Sequence, residues 1–403
     1  MTPAVGAPAS PDWAARPPEA RVAGSAAAFA DARGAVTYGD DTDYARAEPR
    51  PGQVAAAARR ARGGPRPGPV DGPFIHGPVW SWAVPAYFWA GGAASGAAFM
   101  AVACDTAGHH AEAVIARRVA LGVVALAPPL LIGDLGRRAR FLNVLRVFKP
   151  RSPMNLGSWA LTAFGLGAAG AVGADLAGRP RAGRRLGAAT AAVGTYLGSY
   201  TGVLLASTAV PVWSRSRGAL GPLFVTTATG TGAAATRLAF AASGVAPEHP
   251  ARRAVASLEC AAMAVELVGT RLAESRIGPP AAALREGRAG RLFGAADAAL
   301  LAGLGLRVVR RRPGDPAQHA ASALFLAGGL LIRLGWLQAG RQSAADDAGV
   351  AEAARDATSL RDARARRTSS RRPPLAAAVS APGRLYAAGL GRASLAIEAR
   401  LRR

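Results

Sequence analysis

A small set of ionisable residues lies inside long apolar stretches of the sequence, where charge is costly. A charged side chain at the centre of a membrane helix costs about 2.5–3.5 kcal/mol on the insertion scale, so each should face protein or water. Glu259 and Glu266 are seven residues apart and should share one helix face. They predict a proton path or the edge of a quinone site, or else internal pairing with Arg237 or Arg333. The full set is Asp134, Arg237, Glu259, Glu266, Asp297 and Arg333.

Tyrosines form a second group with possible chemistry. Tyr196 and Tyr200 lie one helical turn apart, and Tyr87 follows an aromatic start to the first apolar stretch. A phenol in lipid keeps its hydroxyl group hydrogen-bonded and can donate to the carbonyl of a ligand. The alternative interpretation is that these tyrosines anchor helix ends at the membrane interface. The same alternative applies to Trp80, Trp82 and Trp89.

The composition of the chain is that of a membrane protein. Of its 403 residues 50% are hydrophobic and 18% are charged, and the apolar residues occur in long blocks. Several blocks approach the roughly 20 residues that a helix needs to cross a bilayer. The net charge of +24 is carried largely by arginines between these blocks, which is typical of membrane topology and excludes a nucleic-acid partner. We predict an all-α integral membrane protein with the lipid bilayer as its surroundings.

The order of the blocks predicts a bundle of about eight transmembrane helices between two tails. Residues 1–74 are rich in Ala, Pro and Arg and predict a disordered extension; residues 341–403 predict an Arg-rich, mostly disordered tail. Residues 75–340 form the predicted transmembrane domain. The predicted spans are 79–104, 114–133, 155–176, 186–210, 219–243, 254–273, 292–309 and 319–338.

Residue types that hold prosthetic groups are scarce. Two cysteines, Cys104 and Cys260, cannot support a four-thiolate iron–sulfur cluster. The histidines all lie at or outside predicted helix ends, whereas bis-histidine haem ligation requires two imidazoles at matching depth. No zinc motif or phosphate-binding glycine loop is present. We therefore expect no haem, no iron–sulfur cluster and no metal site in this chain.

The densest local pattern follows the second apolar block. An Arg-rich amphipathic segment with Phe141, Leu145 and Phe148 among its basic residues separates Asp134 from the next span. Such a segment should lie in the plane of the interface, where it either anchors the chain or docks a peripheral partner. The predicted docking residues are Arg137, Arg138, Arg140 and Lys149.

Two runs of the sequence resemble the NrfD/PsrC family, the membrane subunits of polysulfide-reductase-type molybdoenzyme complexes. They are WSWAVPAYFWAGGAASG (80–96) and GDLGRRARFLNVLRVFKPRSPMNLGSWAL (133–161). The resemblance covers about residues 74–340. It implies a haem-free bundle that anchors a four-cluster ferredoxin-like iron–sulfur subunit and a molybdopterin catalytic subunit. It further implies menaquinone or ubiquinone as the bound substrate, and a multi-pass location in the cell (cytoplasmic) membrane.

The resemblance also implies a set of quinone-binding residues. Tyr87 and Tyr200 match quinone-contacting positions of the first and fourth helices, and Asp134 matches a carboxylate beside the pocket. Glu259 resembles an acidic residue of the sixth helix. Val84 stands where the family has an asparagine, so one hydrogen bond to the quinone is missing.

The function implied by the resemblance is a membrane anchor that exchanges electrons between the quinone pool and the iron–sulfur partner. Such a subunit is either non-catalytic or the part of an oxidoreductase that reacts with quinone. Two alternatives stay open on the residues alone. One is a secondary transporter that uses Glu259, Glu266 and Arg333; the other is a structural anchor without an active quinone site.

Overall fold

The computed structural model of the chain describes residues 75, 77–135, 138, 141–150, 152–310, 312, 314–346 and 349–350. The predicted extension 1–74 and most of the predicted tail 341–403 lie outside the described residues. Within them the chain is all-helical. Five helical segments are long and apolar enough to cross a membrane, so the protein is integral to a membrane.

The described helices follow one another with short connections, and each predicted span falls on a helical segment. The helices are α1 (Ala83–Thr106), α2 (His110–Val124), α3 (Ala127–Gly133), α4 (Asn143–Arg146), α5 (Pro153–Leu176), α6 (Pro180–Ala206), α7 (Pro211–Arg215), α8 (Arg217–Ala242), α9 (Pro250–Ile277), α10 (Ala282–Arg285), α11 (Gly287–Val309) and α12 (Pro316–Ala345). The five apolar spans are α1, α2 with α3, α5, α11 and α12.

The second span is broken at its two prolines. Helix α2 ends at Val124, and α3 restarts at Ala127 with proline in its first turn. Proline lacks the backbone N–H and cannot continue the hydrogen-bond ladder of the preceding turn, whereas it is well tolerated at a helix start. The two prolines therefore account for the break, and the short α3 ends just before Asp134.

The centre of the bundle is a contact between the backbones of α1 and α8. A Cβ atom built on Gly96 would lie 2.0 Å from the carbonyl oxygen of Ala228, and one on Gly232 would lie 2.3 Å from the amide nitrogen of Ala97. Only glycine permits this distance, and membrane helices commonly associate through such small residues. We call this contact the α1–α8 seam.

The connections divide the ends of the helices between two faces. Because the long helices are joined by short turns, successive spans run in opposite directions. One face, called the terminal face, holds residues 77–82, 134–135, 138, 141–150, 152, 207–216, 278–286 and 346. The other, called the distal face, holds residues 107–109, 177–179, 243–249, 310, 312 and 314–315.

Candidate functional site

Two tyrosines from different helices form a hydroxyl pair inside the bundle. Tyr87 on α1 and Tyr200 on α6 are 2% and 3% exposed, and their hydroxyl oxygens are 2.6 Å apart. One hydroxyl donates its proton to the other, and the accepting hydroxyl keeps a proton of its own that can be donated onward. The pair is neutral, so it requires no countercharge in the apolar surroundings.

Glycine on α5 makes room for this pair. A Cβ atom on Gly157 would lie 2.1 Å from Cε2 of Tyr200, so the tyrosine ring rests directly against the α5 backbone. Tyr196 stacks on Tyr200 with ring centroids 6.1 Å apart, and it is 37% exposed. Sequence reasoning singled out the three tyrosines but not Gly157, whose role depends on a helix contact that no local pattern reveals.

Asp134 joins the end of α3 to the start of α1 on the terminal face. Its Oδ1 atom accepts a hydrogen bond of 2.8 Å from the backbone N–H of Ser81. The Ser81 hydroxyl oxygen in turn accepts a bond of 3.2 Å from the N–H of Ala83, the first residue of α1. Asp134 is thus placed above the first turns of the helix that carries Tyr87.

Tryptophan side chains fix the end of α1 that lies on the terminal face. The Trp80 ring stacks on Trp213 at 6.1 Å, and the Trp213 indole N–H donates to the carbonyl oxygen of Trp336 at 2.9 Å. The Trp89 N–H donates to the carbonyl oxygen of Leu326 at 3.1 Å. Of the residues predicted as interface anchors, Trp82 is 70% exposed, whereas Trp80 and Trp89 are only partly exposed and pack against neighbouring helices.

Glu259 lies in a different part of the bundle. It is fully buried on α9, and its carboxylate is ion-paired with the guanidinium of Arg307 on α11. Arg307 also donates to the hydroxyl of Ser322 on α12 at 2.8 Å, and Arg237 donates to the same hydroxyl at 3.2 Å. The structure therefore does not bring Glu259 to the tyrosine pair.

The ion-pair partner of Glu259 differs from the prediction. Arg307, and not Arg237, forms the ion pair with Glu259. Arg237 donates a hydrogen bond to the Ser322 hydroxyl, to which Arg307 also donates. Arg307 lies in the last turn of α11, inside the predicted span 292–309, and was not among the ionisable residues singled out from the sequence. Its long side chain reaches back into the bundle, which the sequence does not reveal.

Glu266 and Arg333 are buried near one another without forming an ion pair. The carboxylate of Glu266 accepts hydrogen bonds from the hydroxyls of Thr227 at 2.7 Å and Thr270 at 3.1 Å. The Arg333 guanidinium donates to the carbonyl oxygen of Phe224 at 2.9 Å and lies 3.5 Å from the centroid of the Phe224 ring. A cation over an aromatic face is a favourable way to bury an arginine.

Glu259 and Glu266 belong to a polar stripe along α9. Its members are buried and recur at intervals of seven or eight residues: Arg252, Glu259, Glu266 and Glu274. This spacing keeps one face of a helix aimed at the same neighbours, here α8 and α11. The prediction that Glu259 and Glu266 share a helix face is confirmed, and every carboxylate of the stripe has a hydrogen-bond donor from another residue.

The predicted docking segment lies on the terminal face. Arg138 and Lys149 are exposed, while Arg137 and Arg140 lie outside the described residues. The chain is held against α5 by Asn155, whose side chain accepts from the Lys149 N–H at 2.7 Å and donates to the Val147 carbonyl oxygen at 3.0 Å. Exposed apolar side chains accompany the basic ones, namely Phe141, Leu142, Val147 and Phe148.

The comparisons with known proteins bear on the part of the chain that holds the tyrosine pair. No curated protein matches the chain. A family model described as "Polysulphide reductase, NrfD" matches residues 75–272, from the start of α1 into the last turns of α9. The match includes the tyrosine pair, Asp134, the docking segment and most of the polar stripe. Through residues 75–272 the protein belongs to the NrfD, polysulphide reductase, family.

Proposed function

We propose that the protein is the membrane anchor and quinone-interacting subunit of a multi-subunit respiratory oxidoreductase of the cytoplasmic membrane. Membership of the NrfD family indicates a membrane anchor subunit of an oxidoreductase. The quinone reaction rests on one observation, the buried hydroxyl pair of Tyr87 and Tyr200, whose mutual bond uses only one of the two hydroxyl protons.

The hydroxyl pair suits a quinone carbonyl for a simple chemical reason. A quinone offers two carbonyl oxygens and an apolar ring, so its site requires neutral donors in apolar surroundings. The ring of Phe88 lies 5.2 Å from that of Tyr87, and Tyr196 covers Tyr200. A carbonyl that accepts the remaining hydroxyl proton adds one neutral hydrogen bond and keeps the bond between the two tyrosines, so binding leaves neither hydroxyl unpaired.

Protons have to accompany the electrons. Reduction of a quinone to a quinol takes two electrons and two protons, and oxidation of a quinol returns both. The electrons pass to or from the partner's nearest iron–sulfur cluster. Asp134, at the terminal face above α1, is the residue that exchanges protons with water. Glu259 is left out of this site because Arg307 holds its carboxylate elsewhere.

The partner docks on the terminal face. The exposed basic and apolar side chains that the structure describes between Arg138 and Lys149 lie on the face nearer to Tyr87 and Tyr200 along their helices. A ferredoxin-like iron–sulfur subunit bound there would have its cluster on the side of the bilayer that is nearer to the tyrosine pair. The same subunit would connect the anchor to the molybdopterin catalytic subunit.

The test compares three single substitutions in the complex purified in detergent from its native membrane. Tyr87→Phe and Tyr200→Phe each remove one hydroxyl, and Tyr196→Phe is the matched control one turn away. We expect about a tenfold loss of quinone-dependent turnover in the first two, the equivalent of one hydrogen bond. Subunit composition and electron transfer from a soluble dye to the catalytic partner should stay unchanged, as should all activities of Tyr196→Phe.

Other outcomes contradict separate parts of the proposal. Full quinone turnover in both Tyr87→Phe and Tyr200→Phe would remove the pair from the mechanism. An assembled wild-type complex with no extractable quinone and no quinone turnover would leave a structural anchor. Recovery of the protein without an iron–sulfur partner, under conditions that preserve other respiratory complexes, would favour the transporter.

A further inference from the structure

Three potential metal ligands meet on the distal face, away from the tyrosine pair. His109 directly precedes α2, Glu112 lies in the first turn of α2, and His249 directly precedes α9. One ligand atom from each lies within 4.8 Å of the other two. The Nε2 atom of His249 is 3.3 Å from the Glu112 carboxylate, and the two imidazole rings are 5.1 Å apart.

The backbone around these residues is well supported. The N–H of His109 donates to the carbonyl oxygen of Cys104 at 2.8 Å, and Gly108 turns the chain out of α1 with a positive φ of 82°. The N–H of His249 donates to the carbonyl oxygen of Ala246 at 3.0 Å. Beneath the three ligands the helix ends pack on a buried apolar cluster that includes Ala113, Phe240 and Ala251. The ligands are therefore held near one another before any ion binds.

We propose that His109, Glu112 and His249 bind a divalent transition-metal ion of the zinc type. Two imidazoles and one carboxylate are a ligand set that zinc and its neighbours prefer over magnesium or calcium. In a tetrahedral site with bonds of about 2.0–2.1 Å the ligand atoms lie about 3.3 Å apart, so modest side-chain rotations close the cluster around an ion. The three ligand side chains are only half-buried, so a fourth position would be open to water.

The local charges permit a cation, although arginines are frequent on this face. The nearby buried Arg117 is paired with two carboxylates, Asp105 at 2.5 Å and Asp175 at 2.7 Å. Arg252 at the start of α9 donates to the carbonyl oxygen of Val245. Glu112 brings a negative charge to the cluster, and among the described residues it is engaged by His249 alone.

Metal binding would change the hydrogen bonds of His249. Its Nδ1 atom accepts a bond of 3.3 Å from the N–H of Ala251, which places a proton on Nε2 beside Glu112. Ligation through Nε2 moves that proton to Nδ1 and ends this long capping bond. The ion would in exchange join the start of α2 to the start of α9, two helices from opposite sides of the α1–α8 seam.

The experiment uses zinc itself as the probe, on the full-length protein in detergent, purified with a histidine-free tag and stripped with a chelator. Zn²⁺ is titrated by calorimetry, and Co²⁺ is used to report coordination by its visible spectrum. The variants are His109→Ala, His249→Ala and Glu112→Gln. The matched control is His110→Ala, because His110 neighbours the cluster but is bonded to Asp105 and Arg184.

One Zn²⁺ per chain should bind to the wild type and to His110→Ala, with at least tenfold weaker binding to each of the three cluster variants. Zinc should also raise the unfolding temperature of the wild type but not of the cluster variants. Where an alanine variant fails to fold, the glutamine substitution of the same histidine replaces it. Absence of stoichiometric binding to the folded wild type, or unchanged binding to the double variant His109→Ala/His249→Ala, would overturn the proposal.

Discussion

The tyrosine pair and the polar stripe of α9 are both buried polar groups in the same bundle, but they are satisfied in different ways. Tyr87 and Tyr200 depend on a single neutral hydrogen bond between them. Glu259 is bound by a guanidinium that is itself held by Ser322 and Gln318, and Glu266 is bound by two threonine hydroxyls.

The difference follows from the cost of charge in an apolar environment. A carboxylate without a partner is very unfavourable in an apolar environment. Its hydrogen-bond donors are therefore fixed by packing and are not free to bind a ligand. The free-energy cost of burying a neutral phenol is much lower, and its hydroxyl can exchange one neutral acceptor for another. The stripe is therefore suited to holding helices together, and the tyrosine pair to binding a substrate that comes and goes.

The sharpest test of the stripe is to remove one member of its ion pair. Arg307→Met leaves the Glu259 carboxylate fully buried without its countercharge, and we expect a loss of about 3–5 kcal/mol in the free energy of unfolding. The measurement is the unfolding temperature and the monodisperse fraction after extraction in mild detergent.

Its control is the double variant Glu259→Gln/Arg307→Met, which removes both charges and should recover most of the lost stability. A single variant Arg307→Met as stable as the wild type would mean that the pair contributes nothing to the bundle, and the contrast with the tyrosines would fail.

A second test addresses the α1–α8 seam, which separates the two regions. Gly96→Ala places a methyl group 2.0 Å from the Ala228 carbonyl oxygen, so the helices must move apart, at a cost of about 1–3 kcal/mol. The control is Gly165→Ala on α5, where a Cβ atom meets nothing within 4 Å and alanine favours the helix. Equal unfolding temperatures for the two variants would contradict the close approach.

The tyrosine pair should respond much less in stability than the ion pair. Tyr200→Phe keeps the ring against Gly157 and removes one neutral hydrogen bond, so we expect a loss of about 0.5–1.5 kcal/mol. Thermal unfolding beside Tyr196→Phe, which should match the wild type, provides the measurement. A loss as large as that of Arg307→Met would show that the pair is structural rather than exchangeable.

The smallest effect on stability is expected at Asp134. In Asp134→Asn the amide oxygen can still accept the hydrogen bond from the Ser81 N–H, so assembly and unfolding temperature should stay within about 0.5 kcal/mol of the wild type. Quinone turnover should fall, since the amide cannot carry a proton. Unchanged turnover in the assembled complex would remove Asp134 from the mechanism.

Much of the fold was predictable because it depends on local rules. The apolar blocks predicted where helices occur, and the interval between Glu259 and Glu266 predicted their shared face. The candidate site was predictable in residue type but not in arrangement. A phenol in lipid requires a partner, yet Tyr87 and Tyr200 are 113 residues apart and nothing local states that each is the partner of the other.

The sequence by itself determined an all-helical membrane protein and singled out residue types that could do chemistry, because hydrophobic length and helical periodicity are properties of short segments. Only the tertiary structure decided which of those residues meet. It paired Arg307 with Glu259, set Gly157 against Tyr200, and brought His109 to His249. Such contacts depend on the direction in which distant helices cross, and that direction arises from backbone approach and packing across the whole bundle.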